Sequence, residues 1–287
     1  MRPVLAELVQ LMRLERLEQN LFRGQSQDLG WGAIYGGQAL AQALSAATQT
    51  VPPDRHVHSL HGYFLRQGDA SQPVVYEVDP IRDGRSFTTR RVVGIQSGRA
   101  IFNLSCSFQV PEEGYEHQAD LDLTALPGPD SLTAEHEIAR RAIERIPEHL
   151  RRMATAERPI EARVVHPYDP FAPEVREPHK RVWYRVADPL GDDDRLHRML
   201  LTYASDFHFL TTSLYPHGVS WIVDNVQIAS LDHAMWFHRP FRMDEWLLHV
   251  IESPSASGAR GLVSGRFYDH QGRLVASTAQ EGLIRQR

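Results

Sequence analysis

A single cysteine, Cys106, stands among 287 residues, so no internal disulfide can brace the chain and a reducing compartment suits it. No apolar run approaches the roughly 18 residues of a membrane span, and the basic, apolar and small-residue succession of a secretory signal is absent. Charge of one sign is also lacking: 31 Lys and Arg stand against 36 Asp and Glu, a net of −5. A nucleic-acid partner, which needs a strongly basic face, is not expected. Fifteen histidines are present, yet none joins cysteines or carboxylates at ligand spacing. His56 and His58 share a strand face without such company, so no metal is expected. No Gly-x-Ser-x-Gly elbow occurs, which argues against a serine nucleophile and an acyl-enzyme. These absences leave a cytoplasmic protein working without metal or cofactor.

What is there is a real core, at 42% hydrophobic and 23% charged residues, in a chain long enough for one large domain or two smaller ones. Residues 3–20 read as a short helix with Leu5, Leu8, Leu11, Met12 and Leu17 on one face. Gly36-Gly37-Gln38 opens a second helix of mostly small residues, ended by Pro52-Pro53. From His56 to Gln109 the signals become those of strands, rich in β-branched and aromatic residues. They are separated by Gln67-Gly68-Asp69, Arg82-Asp83-Gly84 and Ser97-Gly98-Arg99, which is turn chemistry.

From Pro111 to about Pro178 charges, prolines and glycines dominate, with one helix expected over about 132–153. Ser131 or Thr133 would cap it, and Glu135 and Glu137 suit its positive end. The division expected is therefore a first lobe over residues 1–115, a partly helical connection over 116–178 and a second lobe over 179–287. Helix followed by strands recurs after the connection. Phe64-Leu65-Arg66 answers Phe237-His238-Arg239, and Gly98-Arg99 answers Gly272-Arg273, at separations of 98 − 64 = 34 and 272 − 237 = 35. A spacing kept to within one residue implies duplication of one α+β unit, a sheet around a central helix.

In the second helix of the pair, Leu196, Leu200, Tyr203, Phe207 and Leu210 recur on one helical face. Asp206 lies beside that stripe, where an unpaired carboxylate is costly. On spacing alone it is as well explained by an ordinary ion pair as by a catalytic task.

The stretches LFRGQ, YGGQALAQAL, LHGYFLRQGD, DGRSFTTRRV, YASDFHFL, DHAMWFHRP, EWLL and ASTAQEG, in this order, resemble the acyl-CoA thioesterase II family over almost the whole chain. The resemblance implies a double hotdog fold, acyl-CoA as substrate, hydrolysis to free fatty acid and CoA, and a homodimer or homotetramer. It also implies a site in which an Asp, a hydroxyl residue and a Gln hold a water. These fall on Asp206, Ser230 and Gln280, with Ser230 standing where the family usually has Thr. Serine keeps the hydroxyl but is less restrained at χ1.

Asp206 would then draw a proton from water, helped if burial raises its pKa above roughly 4. Gly36 and Gly37 admit two readings, a close-packed helix start or backbone N–H groups aimed at the substrate. The first lobe's helix carries no carboxylate to match Asp206, so one catalytic site per chain is expected. Two rivals share the fold: an enoyl-CoA hydratase-like lyase and a non-catalytic acyl-CoA sensor. Asp206 and His208 superficially offer the lyase an acid–base pair, but residues at i and i+2 of an intact helix do not face each other.

Overall fold

The computed structural model describes residues 1–286, with only the backbone of His149. The first half runs α1 (Pro3–Leu11), β1 (Glu15–Glu18), β2 (Leu21–Gly24), α2 (Gly36–Thr48), β3 (His56–Phe64), β4 (Val74–Asp83), β5 (Phe87–Gln96) and β6 (Arg99–Gln109). The connection holds α3 (Glu135–Arg141), α4 (Glu148–Thr155) and β7 (Ile160–Val164). Then follow β8 (His179–Val186), α5 (Asp194–Ser205), β9 (Val226–Ser230), β10 (Asp232–Phe237), β11 (Leu247–Ser257), β12 (Arg260–Asp269) and β13 (Leu274–Gln286).

One antiparallel sheet takes the order β1-β2-β4-β5-β6-β3-β10-β13-β12-β11-β8-β7, with β9 on the far half of β13. Read outward from the β3–β10 seam, the two halves repeat one another: β6 answers β13, β5 answers β12, and β4 answers β11. The repeat extends to single bonds. Leu65 and Arg66 donate their N–H groups to the Ile101 carbonyl, and His238 and Arg239 donate theirs to that of Val275. The Arg66 guanidinium caps the Ala100 carbonyl at 2.7 Å and that of Arg239 caps Leu274 at 2.9 Å. The duplicated α+β unit implied by spacing is therefore present in the hydrogen-bond pattern.

The sheet wraps α2 and α5, which pack on each other inside it. Ala39, Ala41, Ala43, Ala46 and Ala47 of α2 are all buried, and their small side chains let α5 approach closely. A methyl on Gly37 would run into the Tyr203 carbonyl oxygen. The helices run in opposite directions, so the first turn of each lies beside the last turn of the other.

Three local expectations are corrected. The helix expected over residues 3–20 stops at Leu11, because the positions that would extend its apolar face are Glu15 and Glu18. Those residues form β1 instead, turning back through Asn20 at φ +62°. The single helix expected over 132–153 is two, because Pro147 cannot continue a helix and constrains Ile146 before it. Neither Ser131 nor Thr133 caps it; Ala134 is the N-cap, and the Ser131 hydroxyl donates to Gly128 instead. The connection also supplies a strand, β7, paired to β8 at the sheet's edge.

Candidate active site

The stripe on α5 does not run unbroken to Leu210. The helix ends at Ser205 and Asp206 is its C-cap residue. Two residues later His208 adopts φ +61°, a conformation uncommon outside glycine. The chain then folds into a short 3-10 helix over Leu210–His217. The argument that Asp206 and His208 are kept apart by an intact helix therefore does not hold. His208 is engaged elsewhere, its Nε2 lying 3.1 Å from Glu135 of α3.

The Asp206 carboxylate projects from the end of α5 toward the start of α2. Gln280 donates its Nε2–H to Oδ1 at 2.7 Å, and the Ser230 hydroxyl and the Gly37 backbone N–H also bond the carboxylate. Burial raises its pKa above 3.8, and the three donors only partly offset this. The negative end of the α5 dipole acts in the same direction as burial, whereas the positive end of α2 opposes it. Gly36 leaves just enough room: a Cβ there would lie 2.5 Å from Asp206 Oδ2 and 3.0 Å from Phe64 Cζ.

Asp206, Ser230, Gln280, Gly36 and Gly37, singled out in sequence, thus meet at one point from four elements. Ser230 ends β9 opposite Gly282, and Gln280 lies on β13 opposite Val263. Gln280 has one more capacity, since its Oε1 is buried without a partner among the described residues. A buried acceptor left unpaired needs an explanation, and a water beside Asp206 is one.

Tyr35 and Tyr184 went unnoticed in sequence. Tyr35 OH donates to the Tyr203 carbonyl at 3.0 Å and Tyr184 OH to that of Phe207 at 3.1 Å. These satisfy carbonyls that the helix end leaves without an intrahelical partner and brace the turn carrying Asp206. Burial, and then nearby carboxylates, push both phenols well above 10, so they remain donors. Tyr35 was legible in principle, since it immediately precedes Gly36. Tyr184 looked like any inward residue of a strand.

The opposite junction between the two helices differs. There the C-cap of α2 is Gln49, and five residues beyond Ile101, where Gln280 stands five beyond Val275, is buried Cys106. Arg195 of α5 fills the junction, donating to the Pro52 carbonyl at 2.8 Å and that of Thr48 at 3.4 Å. Asp194 beside it binds Arg198 at 2.6 Å and His56 at 2.9 Å.

Among the described residues no group of three or more His, Cys, Asp or Glu is placed to hold a metal. No helix among the described residues is long and apolar enough to cross a membrane. A recess of about 420 Å³ is lined by Arg16, Asn20, Gln49 and Pro52 among others, and one of about 320 Å³ by residues from Trp221 to Ile228. Neither is lined by Asp206, Ser230 or Gln280, so the carboxylate and its donors, not the size of a hollow, mark the chemistry.

Comparison with known proteins bears on the family and the fold. Residues 26–109 match the family described as acyl-CoA thioesterase N-terminal domain, and residues 149–283 the one described as acyl-CoA thioesterase. The chain is 40% identical over 285 residues to acyl-CoA thioesterase 2 of Haemophilus influenzae, covering 99% of each. Its structure matches an acyl-CoA thioesterase II from Mycobacterium marinum at a TM-score of 0.78 and 40% identity, over 97% of this chain and 98% of that one. A protein with a hot dog fold from Alicyclobacillus acidocaldarius matches at a TM-score of 0.76 and 18% identity, over 98% of each, and bears on the fold alone.

Proposed function

The chain belongs to the acyl-CoA thioesterase family and hydrolyses acyl-CoA thioesters, and on that premise we propose that Asp206, Ser230 and Gln280 hold and activate the attacking water. Asp206 takes one proton from the water as its oxygen bonds to the thioester carbon. Gln280 Oε1 accepts the water's other hydrogen, and Ser230 orients the carboxylate. The tetrahedral oxyanion forms near the first turn of α2, at the Gly36 N–H, where the helix dipole favours negative charge, while the Gly37 N–H stays on the Asp206 carboxylate. Collapse breaks the C–S bond, and the proton held by Asp206 passes to the departing CoA sulfur, leaving free fatty acid and CoA. Asp206 returns to its starting state with no covalent intermediate.

The observation that carries this reading is the 2.7 Å bond from Gln280 to Asp206, beside a Gln280 Oε1 that has no partner among the described residues. A raised pKa makes Asp206 a better base than an exposed carboxylate. The test is release of thiol from acyl-CoA by Asp206→Asn, with hydration of a 2-enoyl-CoA followed in parallel. Turnover should fall by about 10²–10⁴-fold and no hydration should be seen. Near-normal thiol release in a folded Asp206→Asn variant, or hydration by the parent, defeats the proposal.

The same reading takes residues 1–115 and 179–287 as the two lobes and 116–178 as their connection, with β7 adding to the second lobe's sheet. One catalytic site per chain is supported by the Gln49, Cys106 and Arg195 set at the second junction. A homodimer or homotetramer acting in the cytoplasm completes it. Exposed Tyr63 and Trp236 on the seam strands and the single cysteine support those two points.

A further inference from the structure

Asp206 is only as well placed as the turn that carries it. Ser205, one residue earlier, donates its hydroxyl hydrogen to the Thr202 carbonyl at 2.8 Å. Its oxygen lies 2.9 Å from Nε2 of His233, on β10. A hydroxyl has one hydrogen, and this one is committed, so toward His233 the serine can only accept. Nε2 therefore carries the imidazole hydrogen and Nδ1 is bare.

Among the described residues that bare, buried nitrogen has no partner, and the residue is 1% exposed. Burial also lowers the imidazole pKa to about 3, so the ring is neutral throughout the working range and cannot serve as a proton carrier there. What remains is a fixed N–H donor aimed at the last helical residue before Asp206.

We propose that His233 is a positioning residue: by holding the Ser205 hydroxyl it fixes the end of α5 and so the direction of the Asp206 carboxylate. The proposal rests on the reading of Asp206 as the base. The surroundings fit the role. Phe209, fully buried just beyond the left-handed His208, stands edge-on to His233 at 5.7 Å and lies 5.2 Å from the His249 ring. His249 in turn reaches Thr278 Oγ1 at 3.2 Å, two residues before Gln280 on β13. One packed cluster therefore links the turn bearing Asp206 to the strand bearing Gln280. From the other side Tyr184 holds the Phe207 carbonyl. Among these braces His233 is the one that grips Ser205.

The test compares kcat and KM for acyl-CoA hydrolysis in the parent, His233→Leu, His233→Gln, Ser205→Ala, Asp206→Asn and the Asp206→Asn/His233→Leu double variant, with thermal melting of each. His233→Leu should lose about 10–100-fold in kcat, the scale of a misplacement near 1 Å, with KM within about twofold. Glutamine, whose amide N–H can reach Ser205, should recover most of the loss. In the Asp206→Asn background His233→Leu should cost nothing more, because its effect passes through the carboxylate.

Parent kcat in a folded His233→Leu variant overturns the proposal. So does a glutamine variant no better than leucine, or a further tenfold loss in the double variant. Should His233→Leu fail to fold, Ser205→Ala decides: a loss of kcat at parent KM upholds the proposal and parent kcat refutes it. If Asp206→Asn itself turns over normally, the reading of the base has failed. If Asp206→Asn is inactive while His233→Leu is normal, only the positioning role has failed.

Discussion

Gly36→Ala adds one methyl group, removes nothing, and should nonetheless disable the enzyme. The added carbon would sit 2.5 Å from Asp206 Oδ2, where ordinary contact begins at 3.4 Å, so the carboxylate must retreat by 3.4 − 2.5 = 0.9 Å. Phe64, 3.0 Å away on another side, blocks the alternative of tilting the helix start. A shift of that size along the Gln280 bond takes it from 2.7 Å past about 3.2 Å, where an amide and a carboxylate no longer pair well. Misplacing a reacting group by 1 Å costs on the order of 10²-fold, and that is the loss expected in kcat/KM for thiol release.

Stability should change little. The φ of Gly36 lies outside the left-handed range, so alanine suits the first helical turn and contributes about 0.4–1 kcal/mol through the unfolded chain, which offsets part of the cost of the displaced Asp206 carboxylate and the Phe64 contact. Gly37→Ala is the contrasting control. Its methyl would meet the Tyr203 carbonyl and, at 2.5 Å, the Tyr35 ring. Backbone at a helix–helix contact cannot retreat as a side chain can, so about 1–3 kcal/mol of stability is lost. Melting temperature and kcat/KM measured on both variants separate the two effects. A folded Gly36→Ala enzyme within about threefold of the parent would refute the placement of the reaction at Asp206 Oδ2.

The remaining predictions follow from the same site. On the proposal that Asp206 works as the ionised base, with a pKa above 3.8, kcat/KM should rise with pH through that raised value; a pH–rate profile whose acid limb falls at or below 3.8 contradicts it. For stability the sign is reversed: a carboxyl whose folded pKa is raised contributes most below its unfolded pKa and loses that contribution as pH rises through the folded one. Asp206→Asn should therefore melt above the parent at neutral pH, and the gap should close as pH falls toward 3.8. Ser230→Ala should lower kcat by about tenfold, a hydrogen bond to a charged group being worth about 1.5–3 kcal/mol, and Ser230→Thr should stay close to the parent; equal rates for all three would remove Ser230 from the site. Rapid-mixing assays should show no burst of CoA before steady state, since a burst would require an acyl-enzyme.

The strands and their duplication were legible because their signals are local. Ser97 and Gly98 do turn the chain with φ of +48° and +71°, as a two-residue hairpin requires. The 34- and 35-residue spacings mark equivalent arginines that cap equivalent carbonyls. The end of α5 was not legible, because apolar periodicity continues through Phe207 and Leu210 whether or not the backbone remains helical. Only the reversal at His208 brings fully buried Phe209, off the stripe, against His233 and His249. Gln280 and Ser230 came from resemblance. Spacing alone cannot bring residues 24 and 74 positions away onto a carboxylate when strand pairing across the sheet decides who meets.

The duplication also explains why the chain can afford a poorly stabilised carboxylate at one place. Two antiparallel helices wrapped by one sheet create two junctions, each joining a C-terminal to an N-terminal end. At one, Arg195 sits against the last carbonyls of α2, a cation at the negative end of a dipole, which is the favourable arrangement. At the other, a carboxylate caps the negative end of α5, partly desolvated and held by neutral donors alone. The second arrangement opposes stability and favours a base. A single unit would have to meet both demands at one junction. With two, the first can be filled and ion-paired for strength, while at the second two glycines leave room for the carboxylate, as the proposed water-activating role requires.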